Sequence, residues 1–254
     1  MVSALVWGTR GRGFKSRQPD HMCGRFVGNF AVTDLLDELR AAGIEASVAD
    51  GTPEQVSNFN TAPTHDCLVM RAGEHGPVIG PARWGLLPAW AKDPAMASKL
   101  INARSETITE KPSFRNLVKG NRALVPMAGF YEWDRTDARN KRPYFVPRAD
   151  GCTMWAAGLW THSPLIGCDT FTLITRESLA DLSSIHHRSP VQLDVRDGVS
   201  WVLEGDAPLG LLLLDEQPLL APYEVGKAVN AVRNTGPGLI APLPTVDPPR
   251  DTLF

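Results

Sequence analysis

The chain has 254 residues, a formal net charge of −2 and 43% hydrophobic residues. That length accommodates one large domain or two small ones with a substantial core, and no apolar run is long enough to span a bilayer as a helix. Cys23, Cys67, Cys152 and Cys168 stand far apart with no C-x-x-C pair, which argues against a disulfide scaffold or zinc ribbon and fits a reducing cytoplasm.

Residues 1–21 read as neither folded nor targeted. Val2, Ala4, Leu5, Val6 and Trp7 precede Arg10, Arg12, Lys15 and Arg17, the reverse of a secretory signal and with too short an apolar core. A basic arm that touches nucleic acid is one alternative. A mis-set start codon accounts better for the segment, because codons for Gly13-Phe14-Lys15-Ser16 accommodate the GGTTCAAATCC-type arm of a tRNA gene. The genomic sequence upstream of codon 22 tests that expectation. Residues 1–21 are therefore expected to be a non-native or cleaved leader. Initiation at Met22 followed by aminopeptidase trimming would leave Cys23 at the amino terminus, with an α-amine and a thiol on adjacent carbons. That pair condenses with an aldehyde to give a thiazolidine ring.

Residues 33–42 (TDLLDELRAA) predict a short amphipathic helix, capped by Thr33 or Asp34 and ended by Gly43. Residues 59–63 (FNTAP) read as a polar turn. Runs of β-branched and aromatic residues predict strands at 66–71, 122–126, 129–133, 142–148, 153–159 and 170–175, with turns between them. Helices are expected at 178–184, leading into His186, and at 197–204. Without regular βαβ spacing, this order predicts an α+β fold built mainly on antiparallel strands with a few short helices. One domain over residues 22–244 and a flexible tail at 245–254 is the simplest division. Charge is uneven along it: residues 83–148 hold 13 Lys and Arg against 6 Asp and Glu. Such a basic stretch suggests an anion-binding face, with a solvated surface as the plainer alternative.

Four polar elements stand out. Asn102 and Arg104, two residues apart, would share one face of an extended segment. Glu132 lies among aromatics in residues 129–133 (GFYEW). His186, in 185–190 (IHHRSP), follows a helix and precedes proline. Asn60 sits in the polar turn. Each has an ordinary structural alternative: a carboxylate paired with arginine, a solvated histidine, a turn-capping amide.

Taken in order, these elements resemble the SOS-response-associated peptidase (SRAP) family, proteins that crosslink to abasic sites in single-stranded DNA. The motifs that carry the resemblance begin with Met22-Cys23-Gly24-Arg25-Phe26, then residues 59–63, 83–93 (RWGLLPAWAKD) and 101–107 (INARSET). Residues 124–126 (LVP), 130–133 (FYEW), Ile185-His186 with Arg188, and 229–234 (VNAVRN) with Gly236-Pro237 complete it. The resemblance runs from Met22 to about Pro242.

It implies that the freed α-amine of Cys23 forms a Schiff base with the C1′ aldehyde and that the thiol closes a thiazolidine, shielding the lesion in the DNA damage response. An α-amine titrates near about 7.7–8.0, so part of it is neutral and nucleophilic at pH 7. By the same resemblance Asn102 positions the sugar or the Cys23 backbone. Glu132, its pKa expected to rise beside Phe130 and Trp133, shuttles protons, and His186 is a general acid or base. Arg25 and Arg104 would pair with phosphates, and Arg115 and Arg122 would continue that track. Trp84, Trp90, Phe114 and Trp133 would stack on or wedge against bases, and Thr175 would lie near DNA.

The resemblance also implies peptidase-like release of whatever precedes Cys23. No cofactor and no membrane are expected, metal binding ranks last because no cysteine–histidine spacing fits a zinc site, and the default is a cytoplasmic monomer that joins the nucleoid when bound to DNA. The family commonly reads Ile-His-Asp-Arg-Met-Pro where this chain has His187 and Ser189, and Thr-Thr-Glu-Ala-Asn where residues 175–179 read TRESL. Those departures bear on the orientation of His186, on details of DNA contact and on crosslink reversal. Two other classes compete. A cysteine hydrolase would use a Cys23 thiolate with His186 as base and tolerate any preceding residue. A non-covalent single-stranded-DNA-binding module would form no denaturation-resistant adduct.

Overall fold

The structure, a computed structural model, describes residues 23–134, 136–137 and 139–244. The expected leader, Met22 and the expected tail at 245–254 lie outside the described residues. In chain order the regular elements begin with β1 (Phe26–Ala31), α1 (Val32–Ala41), β2 (Ser47–Val48), β3 (Gln55–Thr61), β4 (Asp66–Gly73) and β5 (Gly76–Trp84). Then come β6 (Asn102–Arg104), β7 (Arg122–Met127), β8 (Gly129–Asp134), β9 (Arg142–Val146), β10 (Met154–Ser163) and β11 (Cys168–Glu177). The one-turn α2 (Ala180–Ser183), β12 (Arg188–Pro190), β13 (Gln192–Leu193), α3 (Val195–Leu203) and β14 (Tyr223–Glu224) complete the set, with short 3-10 turns between.

The fold is mainly β with few helices, as the order of elements predicts. Strands β4, β5, β11, β10 and β7 form a closed ring. Four of its five contacts are antiparallel, and β5 closes on β11 in parallel, with Trp84 opposite Phe171. Closure leaves these strands no free edge along the paired stretches. It also buries both of their faces, which is why they read as continuous apolar runs rather than as alternating ones. Alternate residues divide between two cores. Val69, Trp84, Val125, Ala156, Phe171 and Leu173 pack with Cys23 and Phe26. Leu68, Met70, Leu124, Trp155, Ala157 and Ile174 pack beneath Leu35 and Leu39 of α1 and Trp201 of α3. Gly85 makes the turn that follows β5: its N–H donates to Phe171 O at 2.9 Å. At φ +113, a Cβ there would stand 2.7 Å from the Ala97 carbonyl oxygen, so only glycine fits.

A second sheet, in the order β14-β9-β8-β1-β3, carries the amino-terminal segment. β1 pairs with β8 through Phe26 opposite Phe130 and Val27 opposite Gly129, and the Tyr131 N–H donates to Arg25 O at 2.9 Å. That register leads the chain before β1 toward Glu132.

Three local expectations are corrected. Residues 59–61 end strand β3 rather than forming a turn. Neither Thr33 nor Asp34 caps α1; Ala31 holds the N-cap position without a side-chain bond, and the Val32 N–H donates to Glu54 O at 2.9 Å. α3 starts two residues earlier than expected, because the Asp194 side chain accepts from the N–H groups of Arg196 and Asp197. Gly43 does end α1, at φ +79.

Candidate active site

Cys23 is fully buried, and its backbone nitrogen donates to Glu132 Oε1 at 2.6 Å. Glu132 is also buried, on β8 between Tyr131 and Trp133. His186 follows the turn of α2, where its N–H donates to Leu182 O at 3.0 Å. Its Nδ1 stands 3.9 Å from the same Glu132 oxygen. Elements far apart in sequence thus bring a nitrogen, a thiol, a carboxylate and an imidazole together. Cys23 has φ +33, a left-handed value for a non-glycine residue, which costs about 1–3 kcal/mol where it occurs. Burial pushes the Cys23 thiol well above its ordinary pKa, and the Glu132 charge adds to the effect. The sulfur is therefore held as a protonated thiol near neutrality.

The backbone of Arg188 brackets the imidazole of His186: its N–H and its carbonyl oxygen both lie 3.2 Å from Nδ1. Arg188 is itself anchored. Its guanidinium pairs with both carboxylate oxygens of Glu106, at 2.5 and 2.9 Å, and donates to Thr175 O at 2.7 Å. Burial works to raise the Glu106 carboxyl, but the hydrogen bond and charge of the Arg188 guanidinium outweigh it and hold that carboxyl below the usual range. Asn102 and Arg104 share one face of β6, half-buried and exposed respectively, while Ala103 between them is buried. β6 pairs with β11 beside Leu173 and Thr175, and Ile101, the residue before Asn102, packs in the cluster that holds Cys23.

Four of the residues expected at DNA are buried in this structure. Trp84 is 0% exposed, wedged against Phe26 and Phe171, with its indole N–H donating to Ile101 O at 3.0 Å. Phe114 belongs to the core under α1 and α3. Arg122 is buried, and it donates to the carbonyls of Val118, Lys119, Trp201 and Glu204, tying off chain turns rather than facing a phosphate. Thr175 is 0% exposed; its hydroxyl donates to Ala103 O at 3.3 Å and accepts from Arg188. The rest remain open to a ligand. Trp90 is 58% exposed, and Arg104 and Arg115 are exposed. Trp133 is half-buried, its indole N–H donating to Asn230 Oδ1 at 2.8 Å. Arg25 is half-buried and donates to Val229 O at 3.3 Å.

Residue chemistry alone missed the groups that hold the site: Glu106, Asn230 and the Asn58–His65 pair. Glu106 and Asn230 lie within recognised motifs, but nothing in their spacing names a partner 82 or 97 residues away. Among the described residues no three His, Cys, Asp or Glu side chains gather where they could hold a metal ion. No helix among the described residues is long and apolar enough to cross a membrane.

A family model described as SOS response associated peptidase (SRAP) matches residues 22–232. The abasic site processing protein YoaM of Bacillus subtilis (strain 168) is 34% identical over 229 residues, covering 86% of this chain and 97% of its own length. The abasic site processing protein YedK of Escherichia coli (strain K12) is 29% identical, covering 87% of this chain and 100% of its own. A solved structure from Bordetella bronchiseptica shares the fold at TM-score 0.64 and 24% identity, covering 80% of this chain and 100% of that one. One from Bacteroides thetaiotaomicron does so at TM-score 0.63 and 22% identity, covering 74% and 86%.

Proposed function

The chain belongs to the SOS response associated peptidase (SRAP) family, and on that premise we propose that it captures abasic sites in single-stranded DNA by covalent attachment to Cys23. The observation that carries this reading is the 2.6 Å approach of the Cys23 nitrogen to Glu132 Oε1. Once the preceding peptide bond is cut, that nitrogen is an α-amine with a proton acceptor already in place. Its neutral form attacks C1′ of the ring-opened sugar. Glu132 takes a proton from the adding nitrogen and returns one to the departing water, which leaves an imine. The thiol then adds to the imine carbon: a C–S bond forms, the thiol proton ends on nitrogen, and the ring closes with no change of oxidation state. His186, 3.9 Å from Glu132, exchanges protons with it and serves the sugar oxygen. Asn102 orients the sugar, and Arg104, Arg115, Trp90 and Trp133 receive the strand.

Release of Cys23 also removes the torsion that holds it at φ +33, so the strain at this residue favours processing. A trimmed Met22 start and self-cleavage of the leader give the same terminus. The protonated, desolvated thiol weighs against the hydrolase reading, which needs a thiolate at the outset. The partner in this reading is abasic single-stranded DNA, met in the cytoplasm by a monomer without cofactor or metal.

Intact-protein mass spectrometry with an abasic single strand tests the reading. We expect a mass beginning at Cys23 and a heat-stable adduct that the Cys23→Ala variant cannot form. Protein that begins at Cys23 yet yields no adduct would overturn it.

A further inference from the structure

His65 lies outside the cluster of Cys23, Glu132 and His186, in a tight turn between β3 and β4. Its N–H donates to Ala62 O at 3.1 Å, and its carbonyl accepts from the Trp84 N–H at 2.9 Å. Thr64 before it has φ +76, a left-handed value that a β-branched residue adopts only where its surroundings impose it. The imidazole is just as constrained. The Asn60 N–H donates to Asn58 Oδ1 at 2.8 Å, which turns Asn58 Nδ2 toward His65 Nδ1 at 3.1 Å. The Ala62 N–H approaches the same ring nitrogen at 3.4 Å. With two donors aimed at it, Nδ1 accepts, and the ring proton resides on Nε2. No described residue accepts from Nε2, and the side chain is partly open to solvent.

Arg25 completes the arrangement. Its guanidinium and the Asn60 amide share the Val229 carbonyl as acceptor, at 3.3 and 3.0 Å, so Arg25, Asn60, Asn58 and His65 form one connected network. Burial and the Arg25 charge push the His65 pKa down, and Asp66 opposes them. A neutral N–H donor beside a fixed cation suits a phosphate: the guanidinium supplies charge and the imidazole supplies direction. Resting on the crosslinking reading above, we propose that His65 contacts DNA, donating its Nε2–H to a backbone phosphate oxygen that Arg25 also holds, next to the abasic sugar at Cys23.

The test is fluorescence anisotropy with a labelled single strand carrying a tetrahydrofuran abasic analogue, which has no aldehyde and binds without crosslinking. His65→Ala should weaken binding by about tenfold, the size of a lost hydrogen bond to a charged group. The slope of log affinity against log salt should match that of the parent protein, because no charge is lost. His65→Gln, which keeps a donor, should recover part of the affinity. Arg25→Gln should instead flatten the slope by about 0.7. Thermal unfolding midpoints establish that each variant is folded, and His65→Gln carries the test if His65→Ala is not. Affinity of His65→Ala within twofold of the parent overturns the inference, as does a salt slope flattened as in Arg25→Gln. A parent protein with no affinity for the strand defeats the crosslinking reading itself, a result distinct from either.

Discussion

Burying a thiol beside a carboxylate makes it a poor thiolate. At Cys23 desolvation is the larger effect and the Glu132 charge the smaller, and both favour the protonated form. Alkylation by iodoacetamide, which requires the thiolate, should therefore modify exposed Cys152 at least about tenfold faster than Cys23 at pH 7.5. The Cys23 rate should still be climbing with pH above about 8.5, where an ordinary thiol levels off. Glu132→Gln isolates the charge and should accelerate Cys23 without altering Cys152. Peptide mapping by mass spectrometry reads both sites in one sample, and a Cys23 that reacts first would contradict this account. The chemistry of the site was legible because Cys23, Glu132 and His186 each sit in a motif that names a residue type. What residue type does not reveal is which way a side chain faces. Trp84 and Arg122 have the right chemistry for DNA, yet Trp84 is buried against Phe26 and Phe171 and Arg122 against backbone carbonyls.

Between residue and fold lies the segment 227–236, which carries no long element of its own and to which one buried amide makes three of the ties. Asn60 Nδ2 reaches the carbonyls of Val229, Ala231 and Asn234 at 3.0, 3.2 and 3.0 Å, and the Phe59 N–H donates to Thr235 O at 3.1 Å. Through this segment Val229 O restrains Arg25 and Asn230 restrains Trp133. Asn60→Ala should cost about 2–3 kcal/mol, because buried carbonyls lose their donor. Hydrogen exchange should quicken in peptides spanning 228–235, while β7 and β10 stay protected. Unchanged exchange there would mean that the segment is held by other contacts. Element by element, the sequence disclosed α1, α3 and the apolar strands β4, β7, β8, β9, β10 and β11. It hid β1, β3 and β5. Pro77, Gly80 and Pro81 interrupt β5 with residues that ordinarily mark turns, and β3 is polar along much of its length because only its last residues enter the core. Those strands owe their conformation to partners distant in the chain, which local propensity does not register.

Closure of the β4–β5–β11–β10–β7 ring ties the ionisation of its buried groups to the unfolding of the whole molecule, because a ring without a free edge offers little local fraying. Cys67, on β4 opposite Ala82 of β5, is pushed well above its ordinary pKa by burial and by Asp66. Cys23 is raised likewise. On β8 of the second sheet, outside the ring, Tyr131 is raised mainly by burial, and its hydroxyl donates to Phe59 O at 2.7 Å. In each case the folded protein binds the proton more tightly than the unfolded chain does. The stabilisation is complete below the unfolded pKa values, about 8.5 for a thiol and about 10 for a phenol. It is lost as pH rises from there toward the folded values. Unfolding free energy from denaturant titrations should therefore hold level on this account from pH 7 to 8 and decline above about pH 9. Each buried thiol contributes up to about 1.4 kcal/mol per pH unit to that decline. Cys67→Ala leaves a small cavity and lowers stability at every pH, but it removes one of the titrating groups, so its alkaline decline should be shallower than that of the parent. The slope discriminates and the offset does not: an equally steep decline in Cys67→Ala would mean that the ring opens locally enough to let this thiol ionise without unfolding.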